Sequence, residues 1–251
     1  MKALLLAGGL GTRLRPLSDI LPKCLMPIHG RPLLDIWIAR LLKDNLIDSI
    51  LINTHYKHEI VAEYLLNSTW KNKIDLVYES ELLGTAGTIL ENRNFFHGKE
   101  FFVAHADNLS AFNLSSFVEV YNRKDVDVLA TMMAFHTDTP SNCGILEIQN
   151  NVVVNFFEKN LNANGTLANG AVFIMSPKII DIIDTLNSKQ PDISLDLIPK
   201  LLHKINIFEN TNTHIDIGNI MNWNLGNIVY EETEPFDPEN IAVWTSILKN
   251  L

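Results

Sequence analysis

Three glycines, two arginines and a lysine stand close together near the start of the chain: Gly8, Gly9, Gly11, Arg13, Arg15 and Lys23. Glycines at this spacing make a turn whose backbone N–H groups can approach an anion with no Cβ in the way. Guanidinium forks and an ammonium add positive charge, and Asp19 is the only acidic residue between Gly8 and Ile28. Those residue types in that order suit a phosphate cradle. A carboxylate is the other candidate: Asp107 follows the apolar run Phe101-Phe102-Val103-Ala104-His105.

The elements that must position these groups alternate between strand and helix through the first half, which predicts a parallel, doubly wound sheet. Residues 3–6 form a continuous apolar run that fits a buried parallel strand. It ends in the glycines. Pro16, Pro22 and Pro27 would interrupt any helix, so residues 7–28 read as a long structured loop, a kind that is usually functional. Pro32 starts a helix through residue 42, residues 49–53 form the next strand, 57–66 a helix and 74–78 a third strand followed by Glu79. Residues 79–87 make a second glycine-bearing turn leading into a helix, and taken alone the turn reads as a helix N-terminus capped by Thr85. In open α/β sheets ligands sit beyond the carboxyl ends of strands, where the run 101–105 delivers Asp107.

From residue 127 the pattern turns strand-rich: 128–133, a hairpin of 143–146 and 152–154 around Gln149-Asn150-Asn151, then 157–159 and 167–174. Residues 177–186 and 194–202 read as helices, 205–208 and 213–218 as strands closing the sheet, 231–235 as a solvated acidic loop and 241–248 as a terminal helix. No internal repeat, low-complexity tract or linker is present.

The P-loop and the dinucleotide fingerprint are both excluded. No Gly-Lys pair occurs in the first loop, and Gly9-Leu10-Gly11-Thr12-Arg13 is followed by Leu14 where G-x-G-x-x-G needs its third glycine. What remains resembles the signature of the sugar-nucleotide pyrophosphorylases (sugar-1-phosphate nucleotidylyltransferases), a strand, then A-G-G-x-G-T-R-L-x-P, then P-K-x-L-x-P-[IV]. Here these are Ala7-Gly8-Gly9-Leu10-Gly11-Thr12-Arg13-Leu14-Arg15-Pro16 and Pro22-Lys23-Cys24-Leu25-Met26-Pro27-Ile28. Leu83-Gly84-Thr85-Ala86-Gly87, Glu158-Lys159, Asn169-Gly170 and Asp216-Ile217-Gly218 resemble later motifs in order, although Ala106 replaces the usual glycine before Asp107 and Asn219 the usual threonine after Gly218.

The resemblance implies a mixed, mainly parallel α/β sheet of Rossmann-like nucleotidyltransferase type with a strand-rich second half. It implies one domain over 1–251, with a nucleotide-binding half (1–110), a sugar-binding half (111–225) and a C-terminal tail (226–251). It implies nucleotide contacts at Leu6, Ala7, Gly8, Gly9, Gly11, Thr12, Arg13, Lys23, Glu79, Gly84, Thr85 and Ala86, and sugar-phosphate contacts at Gly144, Glu158, Lys159, Asn169 and Gly170. Arg13, Lys23 and Asp107 are the implied catalytic residues, and Asp107 and Asp216 the implied Mg²⁺ ligands. The substrates implied are a sugar 1-phosphate and a nucleoside triphosphate, with GTP and a manno-configured sugar favoured by the Leu83–Gly87 segment. Nucleotidyl transfer to a non-sugar phosphate, or a non-catalytic nucleotide-sugar-binding role, are the alternatives. Family members often associate, so a homo-oligomer is compatible with the resemblance.

The composition agrees. Hydrophobic residues make up 47% and charged residues 20%, ordinary for a globular enzyme. A formal charge of −9 argues against a nucleic-acid partner, so positive charge for an anionic substrate must be concentrated locally. Two cysteines without metal-ligand spacing suit a reduced cytoplasmic protein. The initial apolar run is shorter than a signal core, and no stretch reaches the length of a membrane span.

Overall fold

The computed structural model describes residues 1–160, 164–231 and 235–251. The chain divides into two compact units, each interrupted in sequence. The first comprises Ala3–Glu81, His105–Ala111 and Thr213–Leu251; the second comprises Leu82–Ala104 and Phe112–Asn212, with Met1–Lys2. Residues 82–104, expected with the nucleotide-binding half, thus belong to the second unit, and the C-terminal residues to the first.

In the first unit the strands Lys2–Leu6, Ile50–Thr54 and Ile74–Tyr78 pair in parallel. The helices Leu33–Leu42 and His58–Asn67 connect them. Ala3, Leu4 and Leu5 are wholly buried, which is why this strand reads as an unbroken apolar run. The long loop is structured as expected. Its prolines leave three short 3-10 turns, Thr12–Leu14, Leu17–Asp19 and Lys23–Leu25, in place of a helix. Behind it, the buried Asp35 carboxylate accepts hydrogen bonds from Arg31 Nε (2.7 Å), Tyr64 Oη (2.5 Å), Trp70 Nε1 (2.6 Å) and Asn240 Nδ2 (3.1 Å). A carboxylate so bonded can be buried at tolerable cost, and through Asn240 it fastens the terminal helix Pro238–Asn250.

His214–Asp216 does not close the main sheet; it pairs antiparallel with Asn108–Ser110 in a separate two-stranded ribbon, Asp216 opposite Asn108. Its partner is distant in sequence, and such pairing leaves no local signature.

In the second unit Leu167–Met175 lies antiparallel to Phe101–His105 on one side and to Ala130–His136 on the other. Ile205–Glu209 runs parallel to Ala130–His136, and Gly144–Gln149 and Val152–Glu158 form the expected hairpin. Asn150 and Asn151 both take positive φ, 50° and 63°, as a two-residue hairpin turn asks and asparagine tolerates. The strand expected from 128 starts at Ala130, because Val128 N–H closes a turn on Asp125 O. The helix expected over 194–202 is replaced by a π-turn, Ile193–Leu197, and a 3-10 turn, Ile198–Lys200. Pro199 has no N–H to continue an α-helical ladder.

The fold is a mixed α/β one, parallel around the first strand and largely antiparallel in the second unit. Among the described residues no helix is long and apolar enough to cross a membrane. Of the expected acidic loop, residues 232–234 lie outside the described residues.

Candidate active site

The first unit gathers Gly8, Gly9, Gly11, Arg13, Lys23, Asp107 and Asp216. Ala106 N–H donates to Leu6 O, which sets the residue before Asp107 beside the end of the first strand. Ile217 N–H donates to Asp107 O, and the 108–110/214–216 ribbon keeps the two aspartates in register. Trp37 Nε1–H, from the buried first helix, donates to Asn108 O at 2.7 Å and pins the turn that carries Asp107.

Lys23 sits at the centre. Its Nζ donates to Asp107 Oδ2 at 2.5 Å and to Asp216 Oδ1 at 2.7 Å, and its side chain is only 9% exposed. The backbone that holds it is anchored by buried Cys24, Leu25, Met26 and Ile28, and closed by Leu25 N–H to Pro22 O and Met26 N–H to Lys23 O. Burial works against the ammonium, but the Asp107 and Asp216 carboxylates outweigh it and hold the Lys23 pKa above the ordinary lysine value. Burial likewise opposes the Asp107 anion, and Lys23, with a smaller contribution from His105, more than compensates, so that carboxyl lies below its usual range. Arg13 is largely exposed and reaches Asp216 Oδ2 at 3.5 Å. Beneath the pair, His214 Nδ1 meets Ser110 Oγ at 3.0 Å. Burial drives the imidazole pKa down to about 4 against the pull of Asp216 and Asp107, so it is neutral near pH 7.

The glycine turn lies alongside. A Cβ placed on Gly9 would come within 4.0 Å of Asp107 Oδ2, and Gly11 has φ 64°, a conformation that an L side chain strains to adopt. Among the described residues no protein group accepts the N–H of Gly8, Gly9, Leu10 or Gly11. Four unspent donors at the edge of a positively charged loop suit an anion. The entry to the turn is fixed by a pair that motif reading missed: Ala7 N–H donates to Asn53 Oδ1, and Asn53 Nδ2 donates to Glu79 Oε1, both at 3.0 Å. Glu79, implied as a nucleotide contact, is thus buried as a support for Asn53. The available signal was the polar pair Asn53-Thr54 at the end of an otherwise apolar strand.

Asp107 and Asp216 present hard oxygen donors converging on one ammonium, with Asp107 Oδ1 and Asp216 Oδ2 outside the Lys23 bonds. No group of three or more His, Cys, Asp or Glu able to hold a metal occurs among the described residues. Two carboxylates fit magnesium, which typically takes one or two from the protein and completes its shell with phosphate and water.

The remaining candidates lie in the second unit. Gly84 precedes the helix Thr85–Glu91 with φ 79°, and a Cβ there would meet Pro191 O at 2.5 Å. Thr85 is not the helix cap. Its hydroxyl donates to Asp192 Oδ2 and accepts from Ile193 N–H, while Ala86 and Gly87 N–H both donate to Pro191 O. These small residues are therefore required by packing against 190–193. Gly144 pairs with Glu158 at the end of the hairpin, and Lys159 Nζ meets Glu158 Oε1 at 3.5 Å with its side chain 68% exposed. Asn169 Oδ1 accepts from Ala171 N–H, forming a local turn where the register of Leu167–Met175 shifts around Gly170.

A family model described as nucleotidyl transferase matches residues 2–226. The chain is 30% identical to the bifunctional protein GlmU of Methanococcus aeolicus over 82% of its own length and 48% of that protein's. It is 29% identical to mannose-1-phosphate guanylyltransferase 1 of Arabidopsis thaliana over 80% of its length and 56% of that protein's. It thus spans about half the length of these relatives. A Bacillus anthracis structure assigned as a glucose-1-phosphate thymidylyltransferase superposes with a TM-score of 0.83, at 20% identity over 96% of this chain and 98% of the other, and shares the Rossmann-like fold. HddC of Yersinia pseudotuberculosis, solved with GMP-PN, superposes with a TM-score of 0.74 at 25% identity over 92% of this chain and 99% of the other. With a family model covering residues 2–226, the chain belongs to the nucleotidyl transferase family.

Proposed function

We propose that this chain joins a sugar 1-phosphate to a nucleoside triphosphate, releasing pyrophosphate and forming a nucleoside-diphosphate sugar. The observation that carries the reading is the Lys23 ammonium, buried and fixed between Asp107 and Asp216 beside unspent glycine-turn amides. A phosphate monoester oxygen attacks the α-phosphorus, and the bond from that phosphorus to the bridging β-oxygen breaks with its electron pair leaving on pyrophosphate. The attacking oxygen is largely deprotonated at pH 7, since the second pKa of a phosphate monoester is about 6, so no general base is needed. What the reaction needs is two anions brought into line and their charge neutralised. Arg13 and the amides of residues 8–11 would hold the triphosphate, and Lys23 would face the reacting phosphates. Asp107 and Asp216 would hold Mg²⁺, which when bound withdraws charge from the phosphate oxygens. Glu158, Lys159, Asn169 and Gly170 are the residues proposed for the sugar phosphate, and Gly84, Thr85 and Ala86 for the base.

GTP and mannose 1-phosphate or a related manno-configured sugar lead, supported by the name of the Arabidopsis relative and the GMP-PN held by HddC. Magnesium-dependent pyrophosphate release across four nucleoside triphosphates and several sugar 1-phosphates tests both levels. Release with a sugar 1-phosphate is expected, fastest with GTP. Thymidine or uridine triphosphate reacting about tenfold more efficiently than GTP (about 1.4 kcal/mol) would overturn the guanine assignment. No release with any pair would overturn the transferase itself.

A further inference from the structure

Ser18 is a polar side chain of the glycine-rich loop that is sealed from solvent and has no hydrogen-bond partner among the described residues. A buried hydroxyl left unbonded costs about 1–3 kcal/mol, and such groups are rare enough in native proteins to ask for a reason. Its position supplies one. A Cβ placed on Gly11 would lie 3.2 Å from Ser18 Cβ, 3.8 Å from Ser18 Oγ and 3.4 Å from Lys23 Cβ. The hydroxyl therefore stands directly behind the Gly11 turn, beside the stem of Lys23. The turn in front of it is the segment whose N–H groups are unspent and whose glycines let its peptides rotate.

We propose that Ser18 is a positioning residue for the nucleotide loop: its hydroxyl is unpaired in the free protein and gains a backbone acceptor when a triphosphate re-seats the peptides of residues 8–12. This rests on the reading of that loop as the triphosphate site. A ligand shifts an equilibrium between loop arrangements only by the difference in its interaction with them. Here the difference includes a hydrogen bond that the free protein lacks, so binding and loop seating favour one another. Ser18 would touch no phosphate itself, being covered by the turn.

Ser18→Ala separates this role from a structural one, because the two move different quantities. A serine that merely supports the loop would lower the melting temperature of the free protein when truncated. A serine unpaired until nucleotide arrives leaves the melting temperature of the free protein unchanged or raises it, while affinity for Mg·GTP falls about five- to tenfold and the GTP-induced rise in melting temperature shrinks accordingly. The measurement is thermal unfolding and titration calorimetry of wild type and variant, each without nucleotide and with GTP plus magnesium. A free-protein melting temperature lowered by several degrees would overturn the proposal, as would equal GTP affinities when the wild type binds. Failure of the wild type to bind any of the four triphosphates would overturn the reading of the loop and this proposal with it.

Discussion

Two lysines, one in each unit, meet carboxylates in opposite ways. Lys23 is 9% exposed and grips Asp107 and Asp216 at 2.5 and 2.7 Å; Lys159 is 68% exposed and stands 3.5 Å from Glu158. The first ammonium is fixed by the protein before any substrate arrives, with the loss of side-chain freedom already borne by folding. The second is a surface pair of a kind worth little to stability, and it must be ordered by whatever it binds. Charge held in place ahead of the reaction lowers a barrier without reorganisation at the moment of transfer. Charge ordered only as substrate binds spends part of its interaction on that ordering, so Lys159 is expected to act chiefly on binding. The comparison thus sorts residues into those that should set kcat and those that should set KM.

The largest effects are expected at the aspartates and at Lys23. Asp107→Asn or Asp216→Asn should each lower magnesium-dependent turnover by about 10³-fold, because a carboxamide lacks the negative charge that a hard dication prefers. Circular dichroism should show the fold retained, as Lys23 keeps its other partner. Near-native pyrophosphate release in either variant would remove that residue from the metal site. Lys23→Ala should lower kcat by about 10²- to 10³-fold, the scale of losing one preorganised donor, with a much smaller loss of triphosphate affinity because Arg13 and the glycine turn remain. Were kcat unchanged and only KM raised, Lys23 would be a uniform binding contact and the comparison would fail at its stronger end.

Lys159→Ala tests the weaker end. The expected result is a rise of about tenfold in KM for the sugar 1-phosphate, about 1.4 kcal/mol, with kcat and the KM for the triphosphate nearly unchanged. Its melting temperature should match that of the wild type, since an exposed pair contributes little. A fall in kcat comparable to that of Lys23→Ala would show that exposure in the free protein says nothing about preorganisation in the complex.

The same contrast governs what the sequence discloses. The glycine turn, Lys23 and the strand before Asp107 were legible because their chemistry is local: a glycine needed for backbone approach, a proline that stops a helix, an apolar run that must be buried. The partner of Asp216 was not, because the 214–216 strand pairs with residues 108–110 across about a hundred positions of sequence. Nor was the use of Asn53 and Glu79 as a brace for Ala7, which joins the ends of two strands and a loop. The packing of Gly84 against Pro191 was not legible either, because that contact is distant in sequence. Pro199 was a local signal left unused; it breaks the helix expected over 194–202.

The smallest expected effect lies with the two cysteines, which happen to adjoin the two regions compared. Cys24 follows Lys23 and is buried; Cys143 precedes Gly144, is half-buried, and meets Thr137 Oγ1 at 3.6 Å. Burial first, and the Asp107 charge second, push the Cys24 thiol up to about 12. The thiolate is the reactive form, so it is scarce at pH 8, and the thiol is itself buried from a reagent. An aromatic disulfide reagent added to the native protein should therefore modify one thiol, Cys143, as peptide mapping would show, with Cys24 reacting only in denaturant. Raising the pH from 7 to 9 should leave Cys24 unmodified, because its thiolate stays scarce until the pH nears 12. The experiment reads the rigidity of the Lys23 loop without assaying catalysis. If Cys24 reacted as fast as Cys143 in the native state, the loop would open on the timescale of labelling. Lys23 would then be no more fixed before substrate arrives than Lys159, and the separation of kcat from KM would lose its physical basis.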